Sequence, residues 1–175
     1  KLKEEFYDFY PRKLGDEKHM YWTAFLQDIK DTDSLKKIFF ELKSDNATRN
    51  NTCLLVEELR LPLPESDEDI RWSLNRLGYK LFEDYLKICK SDKRKEADLT
   101  KIYAIEKSYE KIKKENHPFE INMLDITGRD LIELGIPKGP CIGDTLEYLL
   151  KIAIKDPDSN KKEKLIEKID KNIIS

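Results

Sequence analysis

The chain has 175 residues, of which 39% are charged and 39% hydrophobic, and its formal net charge is −2. This length can bury the core of one or two domains, and the near-neutral charge does not by itself indicate a nucleic-acid binder. No apolar run approaches membrane-spanning length and no signal peptide is visible, so we expect a cytoplasmic protein without membrane contact. The cysteines are widely spaced and lack a C-x-x-C pair, which indicates buried thiols rather than a zinc or disulfide framework: Cys53, Cys89 and Cys141.

Helical patterns follow one another along nearly the whole chain. The low glycine content and the frequent Lys, Glu, Leu and Ile residues favour helix over sheet, so we predict an all-α fold. Gly78 and Pro118 end helical patterns, and Thr127 is expected to cap the first helix of the tail. The predicted helices span residues 2–10, 18–29, 34–43, 47–59, 67–77, 79–90 and 98–114, before those of the tail.

The change of pattern after residue 117 predicts two domains. A helical body would occupy residues 1–117, and a smaller helical tail would occupy residues 127–175. Residues 118–126, which include the sequence EINMLDI, would form a short extended linker between them.

Acidic residues with Asp-x-Asp spacing are better explained as helix starts than as metal ligands. Asp31 would cap a helix, and Ser66 with Asp69 would form a capping box. Asp158-Ser159-Asn160 with Glu163 predicts another box, which would open the last helix. The histidines, His19 and His117, have no His or Cys at ligand spacing, so we expect surface or capping roles for them and predict no metal site and no catalytic residue.

Four of the six glycines lie in residues 128–143, GRDLIELGIPKGPCIG, which we call the glycine corner. The pattern predicts a short helix from Gly128 to Leu134, a Pro-Lys-Gly-Pro turn, and a second helix that begins near Cys141. Backbone N–H groups at that helix start would lie beside Lys138 and Arg129 and could contact phosphates. Local chemistry alone slightly favours a tight helix connection without a ligand.

The positive charge of the chain is concentrated in a modest band of the body. Residues 80–117 hold 11 Lys and Arg against 8 Asp and Glu. Such a band is most often a solvated helix face, although it could also contact RNA. Arg71 and Arg76 lie on a helix whose Trp72 and Leu77 are expected to face inward, and both arginines could equally pair with acids or meet a phosphate.

The sequence from Gly128 onward resembles the C-terminal tail of bacterial class II tRNA nucleotidyltransferases, the CCA-adding enzymes and their poly(A) polymerase relatives. Residues 70–78, IRWSLNRLG, resemble a helix of that family's body, and residues 21–30, YWTAFLQDIK, resemble its Leu-Leu-His-Asp-Ile-Gly-Lys segment. Gln27 replaces the histidine of that segment, so phosphohydrolase chemistry there is expected to be lost. The matching residues of the tail are Gly128, Asp130, Leu131, Leu134, Gly135, Gly139, Pro140, Ile142, Gly143, Leu146, Leu149, Leu150 and Asn160.

The resemblance implies that the chain is the body and tail of such an enzyme without its catalytic head. The head's Gly-Ser loop does not occur in the sequence, and none of its Asp-x-Asp spacings follows such a loop on a predicted strand. A head and neck would bind CTP or ATP with Mg²⁺, whereas this chain would be inactive alone, would need no cofactor, and would hold the acceptor stem and T arm of tRNA.

The resemblance and the local chemistry together give a set of expected RNA contacts. Cys141 stands where family members often have a basic residue, so the affinity of the tail could be reduced. Two alternatives remain open, a non-catalytic helical protein-interaction module and a degenerate His-Asp phosphohydrolase. The expected contacts are Arg71, Arg76, Lys90 and Lys93 in the body, and Arg129, Lys138, Gly139, Gly143 and Lys151 in the tail.

Overall fold

A computed structural model describes residues 14–169, and the helix predicted at residues 2–10 lies outside this range. Within the described residues the regular structure is entirely helical and contains no β-strand, which confirms the predicted all-α fold. Eight α-helices follow one another: α1 Lys18–Leu26, α2 Thr32–Glu41, α3 Asn46–Leu59, α4 Asp67–Ser91, α5 Leu99–Lys114, α6 Gly128–Glu133, α7 Pro140–Lys155 and α8 Lys162–Glu167. Short 3-10 helices span Lys93–Asp98, Ile121–Met123 and Pro157–Ser159, so the predicted linker is partly helical.

Local sequence signals position the helix boundaries of the body. The Asp31 carboxylate accepts a 2.8 Å hydrogen bond from the Ser34 backbone and caps α2. Ser66 and Asp69 form the predicted capping box at the start of α4. Gly78 has φ 68° and ψ 172° and bends α4, which agrees with the predicted helix break at this glycine.

Three clusters of buried side chains form the core of the described chain. The largest lies between α1, α3, α4 and α5 and contains Phe82, Tyr85 and Tyr109. A small one joins α1, α2 and α3 around Phe39. The third lies within α6, α7, α8 and the segment before them, and Trp72 of α4 packs against it. The division into body and tail domains stays a prediction.

The tail begins as its sequence predicts but ends differently. Thr127 and Asp130 form a capping box at the start of α6. The capping box predicted at residues 158–160 is wrong, because Ser159 lies in a 3-10 helix and α8 begins later, with Lys161 as a cap residue that makes no side-chain cap bond. Asp156 instead caps that 3-10 helix by accepting from the Asp158 backbone at 3.2 Å.

Two expectations about buried side chains need correction. Cys53 and Cys89 are buried as predicted, but Cys141 is exposed because it lies in the first turn of α7 at the surface. His19 is buried in α1 rather than placed at the surface, since it faces α4 and finds a carboxylate partner there.

Candidate nucleic-acid interface

The first half of the glycine corner is a tight helix end. Gly135 has φ 95°, a value that favours glycine, and its N–H donates to the Ile132 carbonyl at 3.0 Å. The next residue, Ile136, donates to the Leu131 carbonyl at 3.0 Å and buries its side chain. The turn is therefore fixed to the core of the tail on one side, and the residues that follow are held at the surface.

The second half of the corner starts α7 without a side-chain cap. Gly139 has φ 135° and ψ −155°, a backbone conformation available essentially to glycine alone, and Pro140 follows as the first residue of the helix. Within residues 14–169 its N-cap residue, Gly139, makes no side-chain cap bond, in contrast to the N-cap residues of α2, α4 and α6. This helix start presents the positive end of its dipole at an exposed turn.

The basic side chains of the corner are open to solvent. The Arg129 side chain is 89% exposed, and its Nε lies 3.8 Å from Glu133 Oε1, a loose surface pair. Lys138 is exposed and makes no ion pair or side-chain hydrogen bond with any residue from 14 to 169. A Cβ added at Gly143 would meet no atom within 4 Å, so this face of α7 is also open. Lys138, Gly139 and Gly143 thus lie exposed at the start of α7, and Arg129 lies exposed on α6.

Lys151 is exposed but lies apart from that turn. It follows Gly143 by eight residues, which is about 12 Å along the axis of α7. Its surroundings form a groove of about 700 Å³ to which α4 contributes Trp72 and Asn75 and α7 contributes Glu147. The structure therefore does not bring Lys151 into the glycine corner.

Arg71 occupies the contact between α4 and α7. Its side chain is 4% exposed, and its Nε donates to the Ile154 carbonyl at 2.6 Å. Its Nη2 donates to the Lys155 carbonyl at 3.4 Å, so the cation lies at the negative end of the α7 dipole. Burial lowers the pKa of the Arg71 guanidinium. RNA contact by Arg71 stays a prediction, and the group already joins two helices.

Arg76 is paired with a buried carboxylate of α3. Its Nε lies 2.7 Å from Glu58 Oε2, and its Nη2 donates to Glu58 Oε1 at 2.9 Å. Glu58 is 3% exposed and also accepts from the Ser73 hydroxyl at 2.6 Å. The hydrogen bond to Glu58 raises the pKa of the Arg76 guanidinium. This cation neutralises a charge that would otherwise be buried alone.

The two lysines predicted to contact RNA in the body differ from each other. Lys90 Nζ lies 2.6 Å from Glu106 Oε1, so it joins α4 to α5. Lys93 is exposed and has no ion pair or side-chain hydrogen bond within residues 14–169. Among the four predicted body contacts, Lys93 alone is exposed and without a protein partner in the described part of the chain.

The sequence of the chain is similar to that of a known protein family. The sequence model described as "tRNA nucleotidyltransferase domain 2 putative" matches residues 15–169. The chain belongs to this family. The match extends through both the helices of the predicted body and the glycine corner, in agreement with the resemblance seen in the sequence. No curated protein and no solved structure matches the chain.

Side chains of the segment that resembles a His-Asp motif make contacts within the protein. Arg94 Nη1 lies 3.1 Å from Asp28 Oδ2, and Arg94 Nη2 lies 2.8 Å from the buried Asp92 carboxylate. Gln27 Nε2 donates to the Ala24 carbonyl at 3.2 Å. Between residues 14 and 169 no group of three or more His, Cys, Asp or Glu side chains could hold a metal ion.

The sequence interpretation missed the buried pair of His19 and Asp84. His19 Nε2 lies 2.9 Å from Asp84 Oδ2, and Lys87 Nζ lies 3.1 Å from Asp84 Oδ1. The one available signal was the polar Asp84 in the apolar stripe of α4, between Phe82 and Leu86. The pair connects α1 to α4 and holds the helix that carries the Gln27 segment.

None of the helices in residues 14–169 combines the length and the apolar character needed to cross a membrane.

Proposed function

We propose that this chain binds tRNA and holds its acceptor stem and T arm, so that a catalytic head can add nucleotides to the 3′ end. Membership of the tRNA nucleotidyltransferase domain 2 family over residues 15–169 is the observation that carries the proposal. The cytoplasm, where tRNA is processed, is the compartment that this role implies.

The contribution of the tail would be electrostatic and geometric. Lys138 is exposed directly before the start of α7, where Gly139 makes no side-chain cap bond, and Arg129 is exposed on α6. Phosphates of a folded RNA could therefore approach cationic side chains and backbone N–H groups together. Recognition of this kind reads the shape of the RNA rather than its base sequence.

The role of the chain would be positioning rather than chemistry. We expect the two-metal nucleotidyl-transfer site to belong to the head, and within residues 14–169 no group of three or more His, Cys, Asp or Glu side chains could hold a metal ion. Mg²⁺ and CTP or ATP would belong to the head, and the neck would connect that head to this chain. The chain would hold the RNA end at a fixed place, which lowers the entropic cost of the reaction.

Binding to a labelled tRNA that lacks its CCA end tests this proposal. We expect the 175-residue chain to bind with an affinity that falls as salt rises, and to bind less well when the T arm is unpaired. The double variant Arg129→Ala/Lys138→Ala should weaken binding and reduce the slope of log K against log salt by about 1.4–1.8, because two phosphate contacts are removed.

The matched control is Lys107→Ala/Lys114→Ala. Both lysines are exposed on α5 and have no ion pair within residues 14–169, so this variant removes the same charge elsewhere. Equal losses for the two double variants would show that the glycine corner has no special role. An absence of binding at low salt would contradict the proposed function itself.

A further inference from the structure

A groove of about 720 Å³ lies between α2 and α3 and is lined by residues far from the glycine corner in the sequence. Its size is within the roughly 300–1,000 Å³ typical of small-molecule sites. Phe40 and Leu54 supply apolar lining, and Cys53 lies at its base. We call it the α2–α3 groove.

The side chain of Phe40 lies outside the hydrophobic core. Its side chain is 74% exposed, whereas the adjacent Phe39 is buried and lies edge-on to Trp22 at 5.7 Å between ring centroids. Leu35 and Phe39 therefore complete the inner face of α2, and Phe40 offers a free aromatic face on the outer side. Leu54, which is 37% exposed, lines the same groove, so the ring is part of a small apolar patch.

Cationic side chains surround this ring. Lys36 and Lys37 precede Phe40 by one helical turn, and Arg49 faces them from α3. Neither Lys37 nor Arg49 has an ion pair or a side-chain hydrogen bond in the described range 14–169, and Lys36 has only a 3.6 Å pair with the exposed Asp33.

The acids of the groove balance these charges only in part. Glu57 accepts a hydrogen bond from the Thr32 hydroxyl at 3.0 Å, and Glu41 is at the end of α2. The lining thus has three cations and two carboxylates, which leaves a net charge of +1. A ring with cations on both sides suits a ligand that has an aromatic face and a negative charge.

We propose that the α2–α3 groove binds an unpaired nucleotide of RNA, with its base stacked on Phe40 and its phosphate held by Lys37 and Arg49. The inference rests on the proposed function, because it takes RNA as the ligand, but it places a second contact outside the glycine corner. A nucleotide uses both features of the groove, since its base stacks on the ring and its phosphate pairs with the cations.

Affinity for a short single-stranded RNA oligonucleotide, measured beside that for the tRNA, tests this site. Phe40→Ala should weaken oligonucleotide binding by about 5- to 150-fold with an unchanged salt slope, because stacking is lost and no charge is removed. Phe40→Tyr should retain most of the affinity, since it keeps the aromatic face. Lys37→Ala/Arg49→Ala should reduce the salt slope by about 0.7, as expected when the contact to one single-strand phosphate is lost.

Phe25→Ala is the matched control for the aromatic ring. Phe25 lies on α1, is 48% exposed and does not line the groove, so its removal should leave RNA affinity unchanged. Melting temperatures of the variants check that each one folds.

The outcomes separate this inference from the proposed function. If tRNA binds but Phe40→Ala behaves like Phe25→Ala, the groove is overturned as an RNA site while the tRNA proposal stands, and the ring would then serve a protein partner. If the oligonucleotide binds through Phe40 while Arg129→Ala/Lys138→Ala has no effect on tRNA, the groove is supported and the role of the tail fails. An absence of binding to both RNAs would overturn the two proposals together.

Discussion

Three of the four basic residues predicted to contact RNA in the body differ from those of the glycine corner in the contacts that they already make within the protein. In the body, Arg71 donates to the end of α7, Arg76 neutralises the buried Glu58, and Lys90 pairs with Glu106. In the corner, Lys138 has no ion pair within residues 14–169, and Arg129 has only a loose one. Two sets of cations that look alike in the sequence therefore have different capacities to meet an RNA phosphate.

Whether a cation is free to contact RNA therefore depends on the tertiary contacts that its side chain makes. A surface arginine that pairs with a buried carboxylate contributes to folding, and moving it onto a phosphate would leave that carboxylate unpaired. An exposed lysine without an ion pair can contact a phosphate and leave no buried carboxylate unpaired. Breaking each kind of contact should accordingly change different quantities.

The largest effect is expected from Arg76→Met. This change keeps most of the volume but removes the cation from the buried Glu58, so the free energy of unfolding should fall by about 2–4 kcal/mol. Urea unfolding followed by circular dichroism measures it. Lys93→Met is the control, because Lys93 has no partner within residues 14–169, and it should change stability by less than about 0.5 kcal/mol.

RNA binding sharpens the same comparison. If Arg76 acts as a structural cation, the folded Arg76→Met variant should bind tRNA as the parent chain does. A variant of parental stability that lost tRNA affinity would contradict this view and assign Arg76 to the RNA interface.

The sequence predicts those parts of this structure that depend on neighbouring residues. Asp31, Ser66 and Thr127 cap helices because their partners are three residues away. Gly78 and Gly135 adopt positive φ where the helical pattern stops. The start of α8 was predicted wrongly because Asp156, Asp158 and Ser159 all have cap-forming side chains, and local chemistry does not choose between them.

The contacts that decide the candidate interface are not local. Arg71 and Ile154 are 83 residues apart, and His19 and Asp84 are 65 apart. Hydrophobic periodicity shows that these polar residues lie near buried faces, but it does not say which helix packs there. The exposed turn of the glycine corner was predictable because one run of 16 residues contains its glycines and prolines.

Two glycines of the corner should respond in opposite directions to alanine. Gly139→Ala forces a side chain into a conformation essentially limited to glycine, and should lower stability by about 1–3 kcal/mol even though a Cβ has room. Gly143→Ala lies in α7 with open space around it and should raise stability by about 0.5–1 kcal/mol. Urea unfolding of both variants measures the contrast, and equal losses would mean that α7 starts elsewhere than at Pro140.

The smallest effect is expected at Asp130, and it should be visible in acid. Its carboxylate accepts from Lys162 at 2.5 Å and from Thr127, and these hydrogen bonds hold its pKa well below the usual value of about 4. A lowered folded-state pKa gives stability that is complete above that usual value and is lost as pH falls toward the folded-state pKa. Asp130→Asn should therefore be less stable than the parent at pH 7 and lose less stability on acidification below pH 4. The control is Asp144→Asn, which changes an exposed tail residue with no ion pair within residues 14–169 and should show the parental dependence of stability on pH. If Asp130→Asn showed that same dependence, the Lys162 contact would not stabilise the tail.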